Sequence, residues 1–216
     1  MEVGPQFERG TGHKLTIATD VAAAAKRRIE GGEPFDVAIL VPAMIGDLAK
    51  QGKLVADTRT DVARDAIALT VKAGAAKPDI ASLDGFKRAL LEMKSIAIVE
   101  GGAAGPPHWN KVFDRLGIAE AMKPKIRLQP NADRMLQAVA DGEVEAGLLI
   151  TSLIVRAKGV DLVGRLPKEA QFPFAITAAV GSSAKEPEGA KAFIKFLASE
   201  PAAAVIKAKG LEPVAR

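Results

Sequence analysis

The chain has no cysteine and no tyrosine, a single tryptophan and two histidines. Without cysteine there are no disulfides, no thiolate metal sites and no cysteine nucleophile. Few side chains remain that could act as acid, base or nucleophile near neutral pH. No His–Ser–acid order, metal-ligand spacing or phosphate-binding loop stands out. The expectation is therefore a chain with no catalytic residues, no metal and no cofactor, with a small-molecule enzyme (a hydrolase or isomerase) or a ligand-sensing domain as the alternative. Also missing is any apolar run near the ~20 residues that span a bilayer. No basic-then-apolar leader is written at the start, where Glu2 and Glu8 stand.

What is present suits a folded globule. Hydrophobic residues make up 48% of 216, and a chain of this length can bury roughly 70% of its unfolded surface. The 30 basic and 26 acidic residues give a net charge of +4. The signs are mixed, as in Lys26-Arg27-Arg28-Ile29-Glu30. Nucleic-acid binders cluster positive charge and interleave aromatics, so these residues read as solvated helix faces and no nucleic-acid partner is expected.

Short apolar runs alternate with helical patterns. Lys14–Ala18 reads as a strand, followed by a helix from about Ala22 to Glu30 that Gly31 and Gly32 stop. Asp36–Val41 reads as a strand buried on both faces. A helix near Ala43–Gln51 and a short strand at Leu54-Val55 follow. Ala66–Val71 is extended, and Ser82 caps a helix of about Leu83–Lys94 without the glutamate of a capping box, because Gly85 stands there. Strand Ser95–Val99 leads into the glycine loop Gly101–Pro107 and a helix of His108–Leu116. Strand Ile126–Leu128, the Asn131-capped helix Ala132–Ala140 and strand Ala146–Ile150 complete the middle. The last third is extended over Phe172–Val180. A helix of Pro187–Leu197 then buries Ala190, Phe193, Ile194 and Leu197 on one stripe, and another starts at Pro201 and closes at Gly210. Strands alternating with helices predict an α/β fold with mostly parallel sheets and helices on both faces.

Three stretches resemble the molybdate-type (type II) periplasmic solute-binding proteins of ABC importers. They are Phe7-Glu8-Arg9-Gly10-Thr11-Gly12-His13-Lys14-Leu15-Thr16-Ile17, then Ile29-Glu30-Gly31-Gly32-Glu33-Pro34-Phe35-Asp36-Val37 with Gln51–Val55, and Val139–Gly147 with the tail Ala190–Ser199. Their order and spacing match over nearly the whole chain. The resemblance implies two lobes joined by crossing segments, with lobe I at 1–68 and 173–216 and lobe II at 69–172. A small solute, an oxyanion or a small organic acid, would be held in the interlobe cleft by hinge closure and delivered to an ABC permease. It also implies a periplasmic location, with a cytoplasmic one left open by the absent leader. Family members carry a strand and a full helix before the Phe7 segment. This sequence begins inside that helix, and a neighbouring copy is one way to complete the lobe I sheet.

The resemblance places the ligand at helix starts that follow strands: Asp20, Val21 and Ala22 in lobe I, and Gly105, His108, Trp109, Asn131, Ala132, Ile150 and Thr151 in lobe II. First-turn N–H groups and the helix dipole suit an anion. The donor set departs from the family, however. Ala22 stands where the family has serine, Ile150 where it has tyrosine, and Asp20 brings negative charge unless it caps its helix. Pro106 and Pro107 remove two N–H donors. The Gly-Gly-x-x-Gly spacing is a poor dinucleotide fingerprint. His108 and Trp109 are read either as a packed helix start or as contacts to an organic ligand.

Overall fold

A computed structural model describes residues 3–20, 22–101, 104–172 and 174–214. In chain order these form α1 (Val3–Thr11), α2 (Ala22–Glu30), β1 (Val37–Leu40), α3 (Pro42–Lys50), β2 (Thr60–Asp65), β3 (Ile67–Lys72), α4 (Leu83–Glu92), β4 (Ile96–Val99), α5 (Pro106–Leu116) and α6 (Ala119–Met122). They continue with β5 (Ile126–Gln129), α7 (Ala132–Asp141), β6 (Ala146–Ile150), α8 (Thr151–Ile154), β7 (Val160–Arg165), β8 (Phe174–Val180), α9 (Pro187–Leu197), α10 (Glu200–Ala208) and β9 (Glu212–Pro213). The chain divides into two compact units, one of Met1–Arg64 with Phe174–Arg216 and one of Asp65–Pro173. Among the described residues no helix is long and apolar enough to cross a membrane.

The first unit holds a four-stranded sheet in the order β1-β8-β2-β9. Strand alternation splits its core in two. On one face Ala178 and Val180 pack with Phe7, Val62 and the α9 stripe of Ala190, Phe193, Ile194 and Leu197. On the other, Ala179, Ala38 and Leu40 pack with Ile29 of α2 and with Ile45 and Leu48 of α3. Gly32, at φ 87°, stops α2 in the left-handed conformation that glycine adopts without steric cost.

Three expectations fail in this unit. Residues 14–18 form no strand. A strand needs a neighbouring backbone to take its N–H and C=O groups, and no described strand pairs with this segment. The Leu15 N–H goes instead to Glu8 Oε1 at 2.8 Å, and Ile17 is 48% exposed. β1 is not a doubly buried parallel strand: it ends the sheet, pairs antiparallel with β8, and leaves Ile39 42% exposed. Leu54 forms only an isolated bridge to Gly181.

The second unit holds five strands in the order β5-β4-β6-β3-β7. β4 is parallel to β5 and β6, as helical crossovers require. β3 runs antiparallel to both β6 and β7. This sheet is thus mixed, and the first has antiparallel pairs at β1–β8 and β2–β9, where alternation implied mostly parallel sheets, because hydrophobic period reports element type and not strand direction. Ile67, Leu69, Ile96, Ile98 and Leu148 pack on one face with Phe86, Leu90, Trp109 and Phe113. Ala68 and Ala97 face α7 on the other. Ser82 Oγ accepts from Gly85 N at 3.1 Å, as the sequence predicts. A Cβ on Gly85 would lie 2.9 Å from the Asp79 carbonyl, which explains why the reciprocal glutamate of a capping box is absent.

Candidate functional site

In the second unit β5, β4 and β6 are neighbours and run in one direction. Their C-terminal ends therefore lie along one sheet edge, the edge where open α/β sheets take ligands. Gly105 and His108 follow β4, Asn131 and Ala132 follow β5, and Ile150 and Thr151 close β6. The topology brings these six sequence-predicted positions to that edge.

Each start is built differently. Gly105 is the extended N-cap of α5, with no side-chain cap. Its carbonyl takes the N–H groups of His108 and Trp109 at 3.0 and 3.3 Å, so with Pro106 and Pro107 the first turn of α5 spends or lacks its donors. At α7, Asn131 Oδ1 accepts from Arg134 N at 2.9 Å and the Asn131 carbonyl accepts from Met135 N at 3.1 Å. The N–H groups of Ala132 and Asp133 lie outside both bonds. Ile150 is the N-cap of the short α8. Thr151 is buried, and its hydroxyl and N–H both donate to the Ala66 carbonyl at 2.8 Å. This corrects Thr151 as a ligand contact, since its hydroxyl is committed to holding the start of β3.

Trp109 is corrected as well. Its side chain is 0% exposed and packs among Phe86, Val112 and Phe113, so it anchors the core. His108 keeps a chemical character. Its ring stands edge-on to Trp109 at 4.9 Å and to Phe172 at 5.4 Å. Burial pushes its pKa below the ordinary histidine value, opposed by a hydrogen bond to the Ala170 backbone and reinforced by Arg115 and Lys111. Nε2 is shielded from solvent and has no protein partner.

In the first unit, Ala22 begins α2, and Asp20 lies 3.7 Å from Arg28 in an ion pair. Val21 lies outside the described residues. Two depressions in this unit, of about 370 and 390 Å³, are lined by Gly4, Pro5, Glu8, Leu15, Ile17 and Thr19 and by Arg59, Thr60, Asp61 and Val214. None of the expected ligand residues lines either.

Sequence reasoning missed two residues beside the strand-end edge. Asp65 is a carboxylate only 6% exposed at the junction of β2 and β3. Its Oδ1 accepts from Ala66 N at 2.8 Å and from Ser152 N at 3.4 Å. Burial raises its pKa, against hydrogen bonds from Ser152 and Ala66 and the charge of Arg165. Gln171 Oε1 accepts from Ile67 N at 2.8 Å while its Nε2 donates to the Ile67 and Leu166 carbonyls, both at 2.9 Å. Local signal for either is lacking, because Asp65 reaches Ser152 across 87 residues and Gln171 reaches Ile67 across 104.

The family model of the bacterial extracellular solute-binding proteins matches residues 1–212. The chain belongs to that family. A Pseudomonas protein named aconitate isomerase is 34% identical over 99% of this chain and 82% of its own length. The molybdate-binding protein ModA of Azotobacter vinelandii is 27% identical over 97% of this chain and 83% of its own length. The solved substrate-binding domain assigned to a molybdenum ABC transporter of Clostridium difficile superposes with a TM-score of 0.84 at 21% identity, covering 99% of this chain and 92% of that one. The last likeness shows the two-lobed α/β fold. The first overturns the expectation that the chain has no enzymatic role, since an enzyme name attaches to a relative aligned with 99% of this chain.

Proposed function

We propose that this chain binds a small unsaturated polycarboxylate of the aconitate type and interconverts its isomers. The observation that carries the reading is the 34% identity, through 99% of the chain, to the Pseudomonas aconitate isomerase. Site chemistry supports it. Ala22 and Ile150 offer no hydroxyl to a tetrahedral oxyanion, whereas the α7 start retains N–H donors and the partial positive charge that suit a carboxylate. Aconitate is propene-1,2,3-tricarboxylate. Moving a proton from its methylene to its vinyl carbon passes through an allylic carbanion, in which the former double bond can reorient. That step needs a base of moderate strength.

A role in import is favoured by a separate observation, the 27% identity to the Azotobacter molybdate-binding protein. On that reading the chain holds an oxyanion or small organic acid for an ABC permease, outside the cytoplasm. One experiment covers both. Purified protein is incubated with cis-aconitate and the vinyl proton is followed by NMR, while thermal shift is recorded with molybdate, tungstate and aconitate. Formation of trans-aconitate at a rate proportional to protein is expected. No conversion, together with saturable stabilisation by molybdate alone, would replace the isomerase reading with the transport one.

A further inference from the structure

Among the residues placed at the strand-end edge of the second unit, His108 alone offers a titratable nitrogen without a protein partner. Nε2 has no protein partner, so in the Nδ1-protonated tautomer its lone pair is uncommitted. The ring is held in place: Trp109, wholly buried, stands against it on one side and Phe172, half-buried, on another. The chain's other histidine, His13, belongs to the first unit and is stacked on Phe7 at 5.7 Å. Asp20, the remaining titratable residue among the expected ligand contacts, is paired with Arg28.

We propose that His108 Nε2 accepts and returns the proton in the isomerisation, an inference that rests on the reading of the chain as a polycarboxylate isomerase. Nε2 takes a proton from the substrate methylene as the C–H bond breaks. The electron pair left behind spreads over the three-carbon allylic unit and the adjoining carboxylates. The Nε2–H then gives the proton to the far carbon, restoring neutral imidazole and the double bond. No oxidant, reductant or second substrate is consumed. Burial suits the role, because an imidazole that stays neutral keeps its lone pair available at neutral pH. The charged groups facing it, Arg115 and Lys111, act in the same direction.

The test is steady-state turnover of cis-aconitate by the wild-type chain and by His108→Gln, with Trp109 emission and melting temperature as the check on folding. The variant should lose roughly 10²- to 10⁴-fold in kcat with KM changed by less than about threefold. In the wild type, kcat/KM should fall as acid protonates the imidazole, with a midpoint below the ordinary value of about 6.5. Retention of wild-type kcat by a folded His108→Gln overturns the assignment and leaves the isomerase reading standing. Should the variant not fold, a wild-type kcat/KM that is flat through the acid range overturns it instead. A wild-type chain without any turnover overturns the parent reading and this inference with it.

Discussion

Gln171 replaces a missing stretch of backbone pairing, and its removal has a calculable cost. Its amide takes the Ile67 N–H at 2.8 Å and gives hydrogen bonds to the Ile67 and Leu166 carbonyls at 2.9 Å. The Ile67 carbonyl has a second donor, Leu166 N at 3.0 Å, and keeps a partner without Gln171. The Ile67 N–H and the Leu166 carbonyl do not, and both residues are buried. Orphaning a buried polar group costs about 1–3 kcal/mol. Gln171→Met preserves length and flexibility while deleting both partners, so a loss of about 2–4 kcal/mol is expected once partial access of water to this half-buried site is allowed for. For a chain of this size that is roughly 5–15 °C in melting temperature.

Gln171→Glu turns the same geometry into a pH experiment. One carboxylate oxygen still accepts from the Ile67 N–H, but the other faces two carbonyls, and the ionised form is disfavoured in the fold. The folded pKa therefore rises above the unfolded value of about 4.3. A group with a raised folded pKa contributes its stability below the unfolded pKa and loses it as pH rises through the folded one. The glutamate variant should approach wild type in mild acid and fall towards the methionine variant at neutral pH. Urea unfolding followed by emission of Trp109, the only tryptophan, reads the unit that holds Gln171. A methionine variant within about 1 kcal/mol of wild type would refute the reasoning, as would a glutamate variant indifferent to pH.

Asp65 gives a second pH-dependent case. Its folded pKa is raised, chiefly by burial, so its ionisation weakens the fold as pH climbs. Asp65→Asn retains an oxygen for the Ala66 and Ser152 N–H groups, and its stability relative to wild type should improve from mild acid to neutral pH in urea titrations. Asp65→Ala removes the acceptor and should cost about 1–3 kcal/mol in mild acid, with the cost shrinking towards neutral pH as ionisation weakens the wild type. Two glycines should rank by what obstructs them. A Cβ at Gly181 would stand 2.6 Å from the Phe35 carbonyl, which is backbone, whereas at Gly147 the 2.6 Å contact is the flexible methyl tip of Met135. Thermal melts by circular dichroism should show Gly181→Ala losing about 1–3 kcal/mol and Gly147→Ala less; the reverse order would show that the Phe35 backbone yields more readily than a packed side chain.

Much of the fold was legible because its signals are local. The Ser82 and Asn131 caps, the glycine stop of α2 and the α9 stripe each need only a few consecutive residues, and all four stand in the structure. What failed depends on partners elsewhere in the chain. Residues 14–18 carry a strand pattern, but pairing needs a neighbour that no local pattern supplies. β1 reads as doubly buried because Val, Ala, Ile and Leu look alike in the middle of a sheet and at its edge. The antiparallel insertion of β3 between β6 and β7 is likewise invisible to periodicity.

At the site the division is sharper. The strand-to-helix junctions at Gly105, Asn131 and Ile150 could be found one at a time, since each is a short apolar run ended by a cap or a glycine loop. Their gathering on one edge depends on strand order and direction. The side chains that fix the junctions reach further still: Gln171 binds Ile67 across 104 residues, and Thr151 binds Ala66 across 85. Thr151 shows the consequence, because an exposed hydroxyl and a structural one have the same sequence signature and only the Ala66 carbonyl distinguishes them. Trp109 and His108 make the same point as neighbours. Helical geometry turns consecutive residues about 100° apart, so the indole is wholly buried while the imidazole is only partly so, although each carries a buried nitrogen without a protein partner. Residue type names the chemistry available at such a position, and helix phase decides which of two adjacent rings can carry it out.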